Sequence, residues 1–349
     1  MHEYMGFGGS LAQQLRSNAR TAQSALNRCV SPDSFTRREH SSAFDLLRVG
    51  DAFHAEFLSS AVELESVEAM RRYTSWACNV LESRNVSCGT IAEYLGNLSQ
   101  EYKRIMPSEH WTAVAPFVYS ALDVCANKLS EQQTCVSAKT ELECQEEEFL
   151  SAVLAGAKLR ALNLARETVG HSWFREPAYC DLVEHTMQEV GRMWEWNQIT
   201  VATEHLASTT TQAVINQLYP LLKVHSPTLG RALITGVQGD HHQIGAQLVA
   251  DVLEIAGWDV LFLGSDLPAR DVAKLVRHWE PDVVGISATL LIHLSSVKNL
   301  IERIRAERPK VRIIVGGAAF QDVSQGFLNH IGANLYARSA LEARGLLAP

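Results

Sequence analysis

From Ala232 to the carboxyl end of the chain, short apolar runs alternate with stretches of helical spacing, and this alternation constrains the fold more than any other feature. The strand-like runs are Ala232–Val237, Trp258–Leu263, Asp282–Ile286, Val311–Val315 and Asn334–Tyr336. Helical patterns fill Gln243–Ile255, Ala269–His278, Leu294–Ala306 and Gln321–His330. Parallel neighbours cannot be joined by a tight hairpin and need a crossover long enough to hold a helix. The pattern therefore predicts a doubly wound α/β sheet of about five parallel strands, with ligands held beyond the carboxyl ends of those strands.

Upstream, residues 146–219 read as helical throughout. Apolar residues recur at helical spacing in Phe149-Leu150-x-x-Val153-Leu154 and in Leu182-Val183-x-x-x-Met187-x-x-Val190, with breaks at Pro177 and Pro220. We expect a four-helix bundle over residues 146–225, joined to a sheet domain over 226–349. Residues 1–145 form a helical region of unknown role, with patterns at Ala43–Phe57, Val67–Leu81, Ile91–Ile105 and Glu109–Leu129. A polar linker, Ser130–Gln145, follows, and Met1–Asp33 reads as partly disordered.

Composition narrows the function classes. Asp and Glu number 39 against 31 Lys and Arg, a formal charge of −8, and no helix-turn-helix with a basic recognition helix is readable. Nucleic-acid surfaces need clustered cations, so no specific nucleic-acid partner is expected. The chain shows no apolar run long enough to span a membrane and no amino-terminal signal pattern, so a soluble, cytoplasmic protein is expected. The seven cysteines, Cys29, Cys78, Cys88, Cys125, Cys135, Cys144 and Cys180, lack Cys-x-x-Cys spacing. An odd, dispersed set reads as reduced thiols, not as a disulfide frame or a zinc site.

The loop after the first strand runs Gly239-Asp240-His241-His242-Gln243-Ile244-Gly245, an Asp-x-His-x-x-Gly spacing. A histidine there projects its imidazole from the carboxyl end of a parallel strand. A carboxylate two residues earlier can accept the other ring N–H and fix tautomer and basicity, as the partner of a metal-ligating histidine does. Gly245 suits a close approach of backbone to a bulky ligand. His241 is a rival ligand, but it breaks the spacing to Gly245 and has no aspartate two residues before it. Alone the hexapeptide is a weak motif. Two further pieces strengthen it: Ser287-Ala288-Thr289, with 41 residues between Gly245 and Ser287, and Gly316-Gly317, with 26 residues between Thr289 and Gly316. Both fall at strand ends.

Together the three pieces resemble the cobalamin-binding signature Asp-x-His-x-x-Gly, Ser-x-Leu, Gly-Gly of methionine synthase, the mutases and the corrinoid proteins. The resemblance implies a flavodoxin-like, Rossmann-type cobalamin domain in which His242 replaces the dimethylbenzimidazole base as the lower axial ligand of cobalt. Asp240 would orient His242, while Ser287 and the Gly316-Gly317 backbone would line the slot for the displaced nucleotide tail. Thr289 stands where the family carries Leu, which alters the wall of that slot.

The stretch from Gly191 to Leu206 resembles the Trp-x-x-Gly-x6-Glu-His motif of light-sensing, adenosylcobalamin-dependent CarH-type regulators. Trp194, Glu204 and His205 match, Val201 fits, and Asn197 replaces the glycine. This resemblance implies a bundle that caps the upper corrin face, with Trp194, Val201, Glu204 and His205 around an adenosyl group. Glu195 stands where those regulators carry a histidine that takes cobalt after photolysis. The architecture also looks like photocobilins, which would add biliverdin as a second tetrapyrrole, although no bilin-attachment motif is readable. The expectation from these resemblances is a non-catalytic, cobalamin-dependent photoreceptor, a homo-oligomer (dimer or tetramer) that signals to a downstream protein partner. The alternative is a corrinoid methyl carrier of a methyltransferase system, which Trp194 and Glu204-His205 would obstruct.

Overall fold

The computed structural model describes residues 11–18, 50–130, 144–171, 175–222, 226–321 and 323–348. Most of Met1–Asp33 and of the linker Ser130–Gln145 lies outside the described residues. The chain divides into two compact units: Met1–Val136 with Glu195–Asn197, and Ser137–Trp194 with Gln198–Pro349. Among the described residues, no helix is long and apolar enough to cross a membrane.

The first unit is helical, with α1 (Gly50–Glu63), α2 (Val67–Glu82), α3 (Gly89–Ile105) and α4 (Ser108–Ser130). Apolar residues three and four apart give each helix a stripe to bury. In α2 the stripe is Met70, Tyr73, Ala77 and Leu81, and in α3 it is Ile91, Leu95, Leu98 and Tyr102. Ser66 starts α2 by accepting the Ala69 N–H at 3.1 Å. One expectation fails in this unit. Cys78 and Cys88 are joined as a disulfide, because the turn after α2 folds Cys88, at the start of α3, back beside the last turn of α2. Dispersion along the sequence said nothing about that return.

In the second unit, α5 (Cys144–Leu154), α6 (Lys158–His171), α7 (Arg175–Glu195) and α8 (Val201–Leu218) supply one apolar core. Phe149, Val153, Leu162, Ala165, Val183 and Ile215 meet there. Next come β1 (Arg231–Gly236), α9 (Ile244–Ala256), β2 (Asp259–Phe262), α10 (Ala269–Trp279), β3 (Val283–Ser287) and α11 (Leu294–Glu307). The chain ends with β4 (Arg312–Gly316), α12 (Gln325–Ile331), β5 (Leu335–Ala337) and α13 (Ala340–Leu346). All strand pairs are parallel, in the order β2-β1-β3-β4-β5. That is the flavodoxin-like order, and the expected α/β domain with helical regions before it is what the chain adopts. Helix α12 is shorter than its sequence pattern because Ser324 caps it, accepting the Phe327 N–H at 3.1 Å. The closing helix α13 was not read from the sequence.

Helix α9 is apolar around most of its circumference because it is packed on two sides. Leu248 and Val252 join the bundle core, whereas Ala246, Ala250 and Leu253 join the sheet core. Between these faces Asp251, only 5% exposed, accepts a hydrogen bond from the Tyr179 hydroxyl at 2.5 Å. Burial pushes the Asp251 carboxyl up to about 7, against the opposing effect of the Tyr179 bond and with a contribution from Glu254. A carboxyl with a raised folded-state pKa holds its proton more tightly in the fold, so this stabilisation is complete near pH 4 and is lost as pH rises through about 7. Asp251→Asn stays neutral and keeps an acceptor for Tyr179. Relative to wild type it should stabilise the fold by roughly 2 to 4 kcal/mol above pH 7, with the difference vanishing near pH 4. A melting-temperature difference that does not change with pH would contradict this account.

Candidate functional site

In this strand order the crossover from β1 runs to one side of the sheet and that from β3 to the other, which opens a crevice at the carboxyl ends of these two neighbours. Gly236, Ser287 and Gly316, on β1, β3 and β4, stand side by side in register at that edge. The loop after β1 turns through Gly239, whose φ is +90°, and whose N–H is taken by Asp266 Oδ1 at 2.8 Å. Asp240 follows and is 1% exposed.

Asp240 ties the crevice together. Its Oδ2 accepts the Thr289 N–H at 2.7 Å, joining the loops after β1 and β3. Its Oδ1 faces both the backbone N–H of His242 (3.0 Å) and the ring Nδ1 of His242 (2.7 Å). The His242 side chain is 59% exposed. With Nδ1 engaged by Asp240, Nε2 is the nitrogen whose lone pair can reach a metal. Burial alone would raise the Asp240 carboxyl, but the hydrogen bonds from the His242 ring, the His242 backbone and Thr289 hold it below the ordinary value. The bond to Asp240 raises His242 against the opposing effect of burial, and the charges of Asp240 and of Glu204 on α8 add to the rise. The result is an imidazole of fixed tautomer and increased basicity.

Two backbone hydrogen bonds tie the loops after β3 and β4 to each other: Ala288 N–H to Gly316 O at 3.0 Å, and Ala319 N–H to Ala288 O at 3.2 Å. Gly317, at φ +95°, lies so close to Ala288 that a Cβ would run into its carbonyl oxygen. Gly245, in the first turn of α9, has open space where a Cβ would point. Asp240, His242, Thr289, Ser287 and the two glycines thus share one edge. His241 is exposed, with Nδ1 3.9 Å from Asp266.

On α8, Thr200 caps the helix by accepting the Thr203 N–H at 3.1 Å. Glu204 holds His205 Nδ1 at 2.6 Å and accepts from Ser208 at 2.7 Å. Val201 and the His205 side chain are exposed, and Trp194 is half-buried. Asn197 sits at φ +55°, in the left-handed region that asparagine tolerates better than most residues. That geometry explains how it can stand where the related motif has glycine.

Sequence reasoning missed three residues here. Ser265 donates to the His242 carbonyl at 3.2 Å, Asp266 anchors Gly239, and the His293 ring lies over Gly239. The signal for the first two was the Gly-Ser-Asp turn after β2. His293 had none beyond its place at the start of a crossover helix.

A buried aspartate thus supports an imidazole at the switch point of a five-stranded parallel sheet, in one unit with a helical bundle. Residues 230–344 match the family model of the B12 binding domain, and residues 145–219 match a second model of that description. The chain is 32% identical over 172 residues to trimethylamine corrinoid protein 2 of Methanosarcina acetivorans, covering 47% of this chain and 78% of that protein. It is 31% identical over 161 residues to dimethylamine corrinoid protein 3 of Methanosarcina mazei, covering 45% of this chain and 95% of the relative. A solved monomethylamine corrinoid protein of Methanosarcina barkeri aligns over 57% of this chain and 94% of its own, at 22% identity and a TM-score of 0.49. The chain belongs to the family of B12-binding corrinoid proteins.

These relatives overturn the light-sensing expectation, since they are methylamine corrinoid proteins. Trp194 and Glu204-His205, expected together with Val201 around an adenosyl group, are the residues expected to obstruct a methyl carrier. All four lie within the stretch matched by a B12-binding model, and the Glu204–His205 pair is a contact between neighbours on one helix surface. The same residue types suit a closed lid or an open helix face, and the sequence motif did not separate the two.

Proposed function

We propose that the chain is the corrinoid carrier of a methyl-transfer system, which passes a methyl group from one protein partner to another. The observation that carries this reading is the similarity to methylamine corrinoid proteins, of which the chain covers 78% of one and 95% of another. When bound, cobalamin supplies a cobalt centre that accepts and releases a methyl group. His242 would hold the metal through Nε2, and Asp240 fixes the ring and its basicity through Nδ1. Asp240 also stabilises the protonated form of the His242 ring, whose affinity for a proton it raises. Ser287, Thr289, Gly316 and Gly317 would line the slot for the nucleotide, and Gly245 would let the start of α9 approach the cofactor. Trp194, Val201, Glu204 and His205, on the bundle helices α7 and α8, would be the residues met by a partner that reaches the bound corrinoid. In this reading the site is one of holding and presentation.

The test is direct. The chain, loaded with cobalamin and chemically reduced, is offered radiolabelled tri-, di- or monomethylamine together with a methylamine methyltransferase. Label should appear on the protein-bound corrinoid with at least one of the three. No transfer to this chain, while a known methylamine corrinoid protein is labelled in the same mixture, would overturn the methylamine reading.

A further inference from the structure

The first unit carries a sulfur cluster that the corrinoid site does not use. Cys78 on α2, Cys88 at the start of α3 and Cys125 on α4 are each fully buried, and their sulfurs all lie within 4.8 Å of one another. Cys78 and Cys88 are joined. Cys125 is a free thiol whose Sγ is 3.9 Å from that of Cys78. Three separate elements thus bring one sulfur each to a single dry point.

Buried cysteines often serve only as small apolar side chains, but three sulfurs gathered at one point go beyond that use. Cys88 occupies the N-cap of the 17-residue α3 without making a capping bond, and the N–H groups of a first helical turn stabilise a thiolate. Lys128, one turn beyond Cys125, also favours the thiolate. Burial first, and Glu82 second, nevertheless push the Cys125 thiol up to about 11. Left alone it keeps its proton, whereas a bound cation displaces the proton outright.

We propose that, once the Cys78–Cys88 bond is reduced, the three sulfurs form a three-coordinate site for copper(I), which re-formation of the disulfide closes. Metal–sulfur bonds of about 2.3 Å place the sulfurs of a trigonal centre about 4.0 Å apart, which matches the Cys78–Cys125 separation of 3.9 Å. Thiolates select soft cations such as copper(I) and zinc. Zinc takes a fourth ligand; among the described residues the group contains only the three cysteines, and their burial excludes water. Copper(I) is satisfied by three sulfurs.

The steps balance. A small dithiol gives two electrons and two protons to the Cys78–Cys88 bond, becoming a disulfide itself and leaving two protein thiols. Copper(I) then binds all three sulfurs and releases up to three protons. A small disulfide then takes two electrons from the Cys78 and Cys88 sulfurs and, with two protons, becomes two thiols; the Cys78–Cys88 bond re-forms, Cys125 takes up a proton, and the copper passes to a competing thiol.

The experiment uses the full chain, reduced without oxygen and given copper(I) in competition with a copper(I) chelator. One copper per chain is expected, with a sulfur-only, three-coordinate shell in X-ray absorption, and none is expected in the disulfide form. Cys125→Ser should weaken copper retention at least about tenfold while leaving corrinoid loading and helical circular dichroism unchanged. Without any variant, copper loading should protect Cys78, Cys88 and Cys125 together from alkylation, mapped by mass spectrometry. The proposal fails if the reduced chain holds no copper against the chelator, if the shell contains nitrogen or oxygen, or if the three cysteines are alkylated equally with and without copper.

Discussion

In His242→Ala, the bound corrinoid should lose its axial nitrogen coupling in electron paramagnetic resonance, and cofactor retention should fall by roughly one hundredfold. Removing only the partner of a metal-ligating histidine costs about 10–100-fold, so loss of the ligand itself sits at the upper end. His241→Ala should leave both readouts near wild type, because His241 is exposed and its near neighbour is Asp266. Asp240→Ala should fall between the two. It strips His242 of the acceptor at Nδ1 and leaves the Thr289 N–H, now bound at 2.7 Å, without its carboxylate. Nitrogen coupling that survives His242→Ala but disappears in His241→Ala would reverse the assignment.

Gly317→Ala should destabilise the second unit by about 3 kcal/mol or more and weaken corrinoid binding with it. Two costs add: a backbone at φ +95° is strained for any L side chain, and a Cβ there meets the Ala288 carbonyl oxygen, which cannot swing away. The displaced segment is the one that joins the loops after β3 and β4, so the damage falls on the proposed nucleotide slot. Gly245→Ala is the informative contrast. Its Cβ meets no neighbouring atom, and alanine is the better helix former by roughly 1 kcal/mol. Stability should hold or rise there, and any loss of corrinoid would report contact with the cofactor alone. Wild-type melting in Gly317→Ala would show that the loop relaxes in a way this geometry does not allow.

The sheet was legible because its strands are buried on both faces, and near-continuous apolar runs such as Val283-Val284-Gly285-Ile286 leave little choice of element. The site was legible for a related reason: Asp240, Ser287 and Gly316-Gly317 fall where strands end, and parallel strands bring their carboxyl ends to one edge. Less could be read where distant partners decide. The Cys78–Cys88 pairing depends on a turn between two helices, Ser265 and His293 reach the site from separate crossovers, and α13 is too short to show a period. The light-sensing expectation failed differently. Trp194 lies on α7 and Val201, Glu204 and His205 lie on α8, but residue types on a helix do not say whether its face is shut or open.

Helix α9 begins at Ile244, two residues after His242, and runs about 20 Å. Midway along it, Leu248 and Val252 are part of the bundle interior, while the opposite flank is part of the sheet interior. It is therefore a shared beam: the loop that presents His242 is welded to the same rod that seats the four-helix bundle. The floor and the roof of the proposed corrin compartment are built on one member, and neither can be shifted without loading the other. A graft of a foreign bundle onto this sheet would have to be refitted along α9 before His242 could stand where it does now.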